Sequence, residues 1–331
     1  LKIGQLILSI KLISKRSFLF FCNQSEQKTL EIMETVPFGN TKAIHLIEPI
    51  ICKGLFDHVR RMWNTCESDY FPGPQPISIE RKHIERLSQQ KYRVCAKSDG
   101  VRFLLVFVTH LDNPYCFLIN RKKDVYLINV EVISDAFKGT VLDGEFIRNT
   151  HTNKHEFLVY DATSIMGDNN VMALPHSQRM ERALSIVEHI KYQPNKTPFH
   201  VKLKTFYPFE NFKDYVSRTV PFLEHDMDGY IFTPDEDPVR SGTHNNMFKW
   251  KELYKNTVDF LVEKHFHIPG AFIVKVSRGC TLKSLFDIKL HVPAGSDVER
   301  DLLQSNSPVI VECMYLSPNM WSALFVRKDK T

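Results

Sequence analysis

Four short charged motifs stand at the ends of strand-like runs: Lys97-Ser98-Asp99-Gly100 with Arg102 close behind, Asp143-Gly144-Glu145, Asp228-Gly229, and Lys249-Trp250-Lys251. Taken singly, each has an ordinary reading, since a lysine at a hairpin end is commonly a solvated cation and Asp-Gly a common turn. Together they supply what phosphoryl chemistry on a nucleotide requires. A lysine amine is a nucleophile only when deprotonated, and neighbouring cations favour that form. Arg102, Lys249 and Lys251 are candidates for that task, and the same charges would neutralise a triphosphate and a departing pyrophosphate. Asp99, Glu145 and Asp228 offer hard oxygen ligands for a divalent metal, Mg2+ or Mn2+, or acceptors for ribose hydroxyls.

The elements that would carry these motifs are short strands. Residues 92–96, 102–108, 115–120, 125–129, 140–147 and 157–160 are rich in β-branched or aromatic side chains, and Ser98-Asp99-Gly100, Asp112-Asn113-Pro114 and residues 121–124 punctuate them. A mostly antiparallel sheet is expected. Helical spacing appears over 177–190, where Met180, Leu184, Val187 and Ile190 recur, and over 210–218, with Phe212 and Val216 on one face. Strands follow at 229–233, 247–251, 258–263, 272–276, 309–315 and 321–327, with no long helix in the last part. The fold class is α+β, with a second, small all-β domain from about residue 260 for which a barrel is the simplest form.

The 331 residues, 43% apolar and 24% charged, exclude a disordered or fibrous class. A net charge of +5 is compatible with a polyanionic partner without demanding one. Seven cysteines, scattered and without a C-x-x-C pair, argue against a disulfide framework or a zinc ribbon and for a reducing compartment. His151 and His155 fall in a polar stretch between two strands, which reads as a hairpin turn in preference to a metal site. Residues 3–22 are the most apolar, but Lys11, Lys15 and Arg16 interrupt them, so neither a membrane span nor a signal peptide is read there. The first methionine is Met33, and residues 1–32 are expected to lie outside the natural start.

The series Lys97-Ser98-Asp99-Gly100, 140–145, Tyr160-Asp161, 225–234, 248–251 and 327–330, preceded by Phe71-Pro72-Gly73-Pro74-Gln75-Pro76-Ile77-Ser78, resembles the guanylyltransferases of cellular and large-virus mRNA capping enzymes. These are covalent nucleotidyltransferases related to polynucleotide ligases. The resemblance covers residues 71–331. It implies a nucleotidyltransferase domain over 71–258 and an OB-fold lid over 259–331, with 1–70 as an extension that is partner-binding or partly non-native. It also implies GTP as substrate, a phosphoramidate between Lys97 and GMP, and a 5′-diphosphate RNA end as acceptor. By the same resemblance Asp99 belongs to the nucleophile motif, Arg102, Arg121 and Glu145 contact the nucleotide, and Tyr160 stacks on guanine. Asp228 joins Glu145 at the metal, Lys249 and Lys251 grip phosphates, and Arg327, Asp329 and Lys330 come from the lid onto the triphosphate. Tyr160 could equally be a core aromatic, with Phe157 as the stacking alternative, and Arg121 a plain hairpin cation.

The family's closing motif carries an arginine two residues before the position of Arg327, where this chain has Phe325, and it continues past the Asp-Lys pair, whereas this chain stops at Thr331; a shortened lid is expected. An ATP-dependent RNA or DNA ligase would share the nucleophile, but Asp228-Gly229-Tyr230-Ile231-Phe232, and Lys249-Trp250-Lys251 followed by Asn256-Thr257-Val258-Asp259-Phe260, look like capping enzymes. An inactive nucleic-acid-binding relative is the other alternative, against which all the charged motif positions are occupied. RNA triphosphatase and cap methyltransferase signatures are not found, so those activities would belong to separate proteins. The resemblance further suggests the RNA polymerase II tail as a partner, no membrane partner, and a nuclear location for a cellular protein or a cytoplasmic factory or virion for a viral one.

Overall fold

The structure is a computed structural model that describes residues 33–63, 71–110, 112–252, 255–268, 270–278 and 281–330. Residues 1–32, on which the expectation about the natural start falls, lie outside the described residues. The chain divides into two compact units that meet in sequence between Trp250 and Lys251.

The first unit contains thirteen described strands: β1 (Met33–Phe38), β2 (Thr41–Leu46), β3 (Pro74–Ser78), β4 (Tyr92–Ser98), β5 (Val101–His110), β6 (Asn113–Asn120), β7 (Val125–Ile128), β8 (Thr140–Arg148), β9 (His155–Ser164), β10 (His200–Leu203), β11 (Tyr207–Pro208), β12 (Met227–Pro234) and β13 (Gly242–Trp250). They form an eight-stranded sheet in the order β1-β2-β7-β6-β5-β8-β9-β10 and a five-stranded sheet in the order β11-β4-β12-β13-β3. Pairing is antiparallel except where β10 joins β9 and β3 joins β13.

The eight-stranded sheet is buried on both faces, which is why its central strands read as continuous apolar runs. Along β5, Phe103, Leu105 and Phe107 pack into one cluster with Ala183 and Ile186 of the helix His176–Val187. Leu104, Val106 and Val108 pack into another with Phe56 and Val59 of the helix Pro49–Met62. Period-2 alternation of side chains divides the two sets. The helix over 177–190 is thus present, slightly shorter. The helix Pro49–Met62 has no counterpart among the expected elements, and with β1 and β2 it packs residues 33–62 into the first unit. The residues read as a turn between 148 and 155 are one: Asn149 Oδ1 accepts from the backbone N–H groups of His151 and Thr152.

The second unit, Lys251–Thr331, carries β14 (Thr257–Lys264), β15 (Phe272–Arg278), β16 (Thr281–Ser284), β17 (Lys289–His291), β18 (Val309–Ser317) and β19 (Met320–Val326) in one sheet of order β16-β15-β14-β18-β19-β17. A short helix, Asp297–Gln304, capped by Ser296, buries Val298 and Leu302 against Phe260, Val311 and Ala323. Its eight residues carry too little periodic signal to stand out in the sequence.

Candidate active site

Three strands of the five-stranded sheet present alternate residues to one cavity. Cys95 and Lys97 on β4, Ile231 and Thr233 on β12, and Met247 and Lys249 on β13 line it. Their neighbours Val94, Ala96, Tyr230, Phe232 and Phe248 point the other way into a cluster closed by Leu87 and Tyr215. The period of the strand therefore decides which lysines face the cavity. Lys249 does; Lys251 lies past the end of β13 and belongs to the second unit. Across the cavity the eight-stranded sheet contributes Arg102 from β5, Glu145 from β8 and Tyr160 from β9, with Arg121 and Lys122 on the β6–β7 turn. The cavity holds about 500 Å³, within the range of nucleotide-sized sites.

Lys97 meets a carboxylate at once, its Nζ lying 2.7 Å from Asp228 Oδ1. The pairing of β12 with β4 is regular on either side, Met227 opposite Ser98 and Tyr230 opposite Ala96, so Asp228 and Gly229 together oppose Lys97 as a β-bulge. Gly229 takes φ +145, a conformation glycine adopts at no steric cost. Asp99, by contrast, is exposed in the turn after β4, its N–H donated to the carbonyl of Asp226 at 2.9 Å, and it does not line the cavity.

Arg102 is held from below. Its Nε and Nη2 donate to the two oxygens of Asp143 at 2.9 and 2.5 Å, and its Nη1 donates to the carbonyl of Pro74 at 2.8 Å. Asp143 is fully buried, and burial alone disfavours both charges. The bidentate geometry keeps the guanidinium protonated. Gly73, at φ +137, leaves the room: a Cβ there would stand 2.2 Å from Arg102 Nη2. The Arg102 charge is therefore largely compensated by Asp143, which weakens it as the cation expected to activate Lys97. Tyr160 also hydrogen-bonds to Asp143, and burial raises its phenol well above the usual range. Its ring has Arg102 and Lys204 each 5.8 Å from the centroid.

Glu145 faces the same space. Burial pushes its carboxyl up to about 7, against the pull of Lys204, Lys97 and Arg102. Among the described residues, no three His, Cys, Asp or Glu side chains gather as a metal cluster. Mg2+ needs no such cage where substrate phosphates complete its shell, and a buried carboxylate short of compensating charge suits that role. Glu145 fits the group on this ground, and Asp228 offers a second carboxylate, one that is ion-paired with Lys97. Lys204 also lines the cavity, just past β10, and is not among the residues expected there from sequence. Its signal was the alternation Lys202-Leu203-Lys204, which carries no motif.

The remaining predicted residues lie in the second unit. Arg327 donates to Asp329 at 2.9 and 2.8 Å, to Glu312 at 2.9 Å and to Asp259 at 3.4 Å, and Lys330 also bonds Asp259. These cations are engaged by carboxylates of their own unit.

Two facing sheets with a lysine, carboxylates and several cations lining a nucleotide-sized cavity make a site of the nucleotidyltransferase kind. Residues 51–253 match the model of the mRNA capping enzyme catalytic domain. The chain belongs to the mRNA capping enzyme family. It is 28% identical to the mRNA-capping enzyme subunit alpha of Neurospora crassa, covering 77% of this chain and 69% of that one, and 29% identical to the Schizosaccharomyces pombe protein of the same name, covering 79% and 73%. It is 26% identical to the mRNA-capping enzyme of Caenorhabditis elegans over 79% of this chain and 44% of that one. Among solved structures, a mycobacterial DNA ligase D complexed with ATP and MES is similar at 14% identity and a TM-score of 0.43, covering 78% of this chain and 96% of that one.

Proposed function

We propose that the chain transfers GMP from GTP to the 5′-diphosphate end of RNA through a covalent adduct on Lys97. The observation that carries this reading is the Lys97 amine, fixed by Asp228 on the wall of a cavity that also presents Glu145, Arg102, Tyr160, Arg121 and Lys249. In the first half-reaction the Nζ lone pair attacks the α-phosphorus, an N–P bond forms, and the bond to the bridging oxygen breaks with pyrophosphate carrying away the electron pair. Asp228 Oδ1, 2.7 Å from the amine, would take its proton. Lys249 and Arg121 bear on the phosphates, and Tyr160 offers its ring to the base. In the second half-reaction a terminal oxygen of the RNA diphosphate attacks the same phosphorus and the lysine leaves, taking back a proton.

A divalent ion, held by Glu145 and Asp228 with phosphate oxygens, would supply charge neutralisation at the triphosphate. The second unit fits the part of a lid, with Arg327, Asp329 and Lys330 contributing to pyrophosphate release and Lys251 to phosphate binding. A nuclear location with separate triphosphatase and methyltransferase partners, and the polymerase II tail as recruiter, goes with this reading.

The test is adduct formation with α-labelled GTP and, in parallel, α-labelled ATP. Heat-stable label from GTP that disappears in Lys97→Ala is the expected result. Label from ATP alone would make the chain a ligase-type adenylyltransferase, and label persisting in Lys97→Ala would remove Lys97 as the nucleophile.

A further inference from the structure

The geometry points to His225 as a positioning residue that, through Ser98, fixes the end of the nucleophile strand against the bulge that carries Asp228. The inference rests on the reading of Lys97 as nucleophile.

A bulge interrupts the ladder where register is easiest to lose, and here it falls opposite Lys97. Something must hold the two strands on its outer side, where β4 ends. Ladder pairing contributes one residue pair there, Met227 with Ser98. The next tie is the Asp99 N–H donated to the Asp226 carbonyl at 2.9 Å. The third is a side-chain bond: Ser98 Oγ and His225 Nε2 lie 2.7 Å apart, with Ser98 only 4% exposed. Burial, reinforced by Lys204, holds His225 below the ordinary imidazole range, so the ring facing Ser98 at neutral pH is uncharged.

The segment holding His225 is itself tied to a third strand end. The carbonyl of Glu224 accepts from the Thr150 N–H at 2.7 Å, and its carboxylate accepts from Asn149 Nδ2 at 2.7 Å. Asn149 and Thr150 directly follow β8, the strand of Glu145. Residues 224–226 thus join the ends of the strands bearing Lys97, Asp228 and Glu145. His225 does not line the cavity, so its influence on the reaction runs through their placement.

The experiment measures single-turnover adduct formation from GTP in the full chain, with apparent GTP affinity and melting temperature recorded for each variant. His225→Ala is expected to slow the adduct step at saturating GTP by tenfold or more while changing GTP affinity less than threefold. His225→Gln, whose amide can reach the Ser98 hydroxyl, is expected to recover most of the rate. Ser98→Ala should cost as much as His225→Ala, and the double variant no more than either alone, since the two side chains act as one unit. A folded His225→Ala protein with the parental rate, or losses that multiply in the double variant, would overturn the assignment. Should His225→Ala fail to fold, the comparison of His225→Gln with Ser98→Ala decides it: an impaired Gln variant beside an unimpaired Ala variant refutes the clamp. Lys97→Ala distinguishes the levels. Label surviving there removes the nucleophile reading, whereas a dead Lys97→Ala beside a fully active His225→Ala removes only the clamp.

Discussion

Replacing Glu145 by Gln keeps the shape of the side chain and removes its charge, and its effect on stability is set by where that carboxyl sits. Burial raises it from 4.5 to about 7, so the folded protein binds the Glu145 proton more tightly than the unfolded chain does. Stability then falls as pH rises between those values. Below about 4.5 the carboxyl is neutral in both states and costs nothing; above about 7 it is ionised in both, and the fold carries the whole penalty. At roughly 1.4 kcal/mol for each tenfold change in proton affinity, the displacement amounts to about 3 kcal/mol. Urea unfolding of the parent and of Glu145→Gln, at several pH values from 4.5 to 8 without nucleotide or metal, reads the difference directly. The variant should gain on the parent by about 3 kcal/mol across that window. Stability curves that run parallel would show that Glu145 is not a buried charge without compensation, and would refute both the energetics and the argument that the site fits a cation.

Asp143→Ala should destabilise the first unit by about 3–5 kcal/mol, because it leaves the Arg102 guanidinium buried without its partner; chemical denaturation at neutral pH checks this. Gly73→Ala should cost about 1–3 kcal/mol from the backbone conformation alone, with a further loss as the new Cβ displaces Arg102, and should raise the KM for GTP. Arg121→Ala, at an exposed turn, should leave stability within about 0.5 kcal/mol while weakening GTP binding, which separates a substrate contact from a hairpin cation. Leu104→Ala, fully buried, should cost about 2–5 kcal/mol with no selective effect on GTP affinity.

The strands were legible because their residues alternate or run apolar, and the expected strand over 102–108 is the centre of β5. Local pattern says nothing of partners three strands away. The parallel pairing of β3 with β13 joins residues 74–78 to 242–249, and no periodicity within Pro74–Ser78, with its two prolines, marks it as a strand. The site was legible where charge falls in a short motif, as at Lys97, Glu145 and Asp228. It was illegible where a role depends on a cross-strand neighbour. Asp143 reads in Asp143-Gly144-Glu145 only as part of a common Asp-Gly pair, and the register of β8 against β5 is what shows it beneath Arg102. Arg179, buried and bidentate with Asp161, belongs to the helix His176–Val187, and no motif in the sequence marks it.

The two parallel joins bear on the order in which the polypeptide becomes an enzyme. As the chain leaves the ribosome from its amino end, the eight-stranded sheet can close once residue 203 has emerged. The strand bearing Lys97 has its main partner about 130 residues later, in β12, and the far edge is completed only by β13, which ends at Trp250. Until β12 and β13 have emerged, one half of the cavity is a finished wall and the other holds β4 and β3 without their main partners, exposing Tyr92, Val94 and Ile77. A nascent chain halted between about 205 and 250 is therefore an intermediate that cannot hold nucleotide and whose open edges invite association, a window in which a chaperone has most to protect.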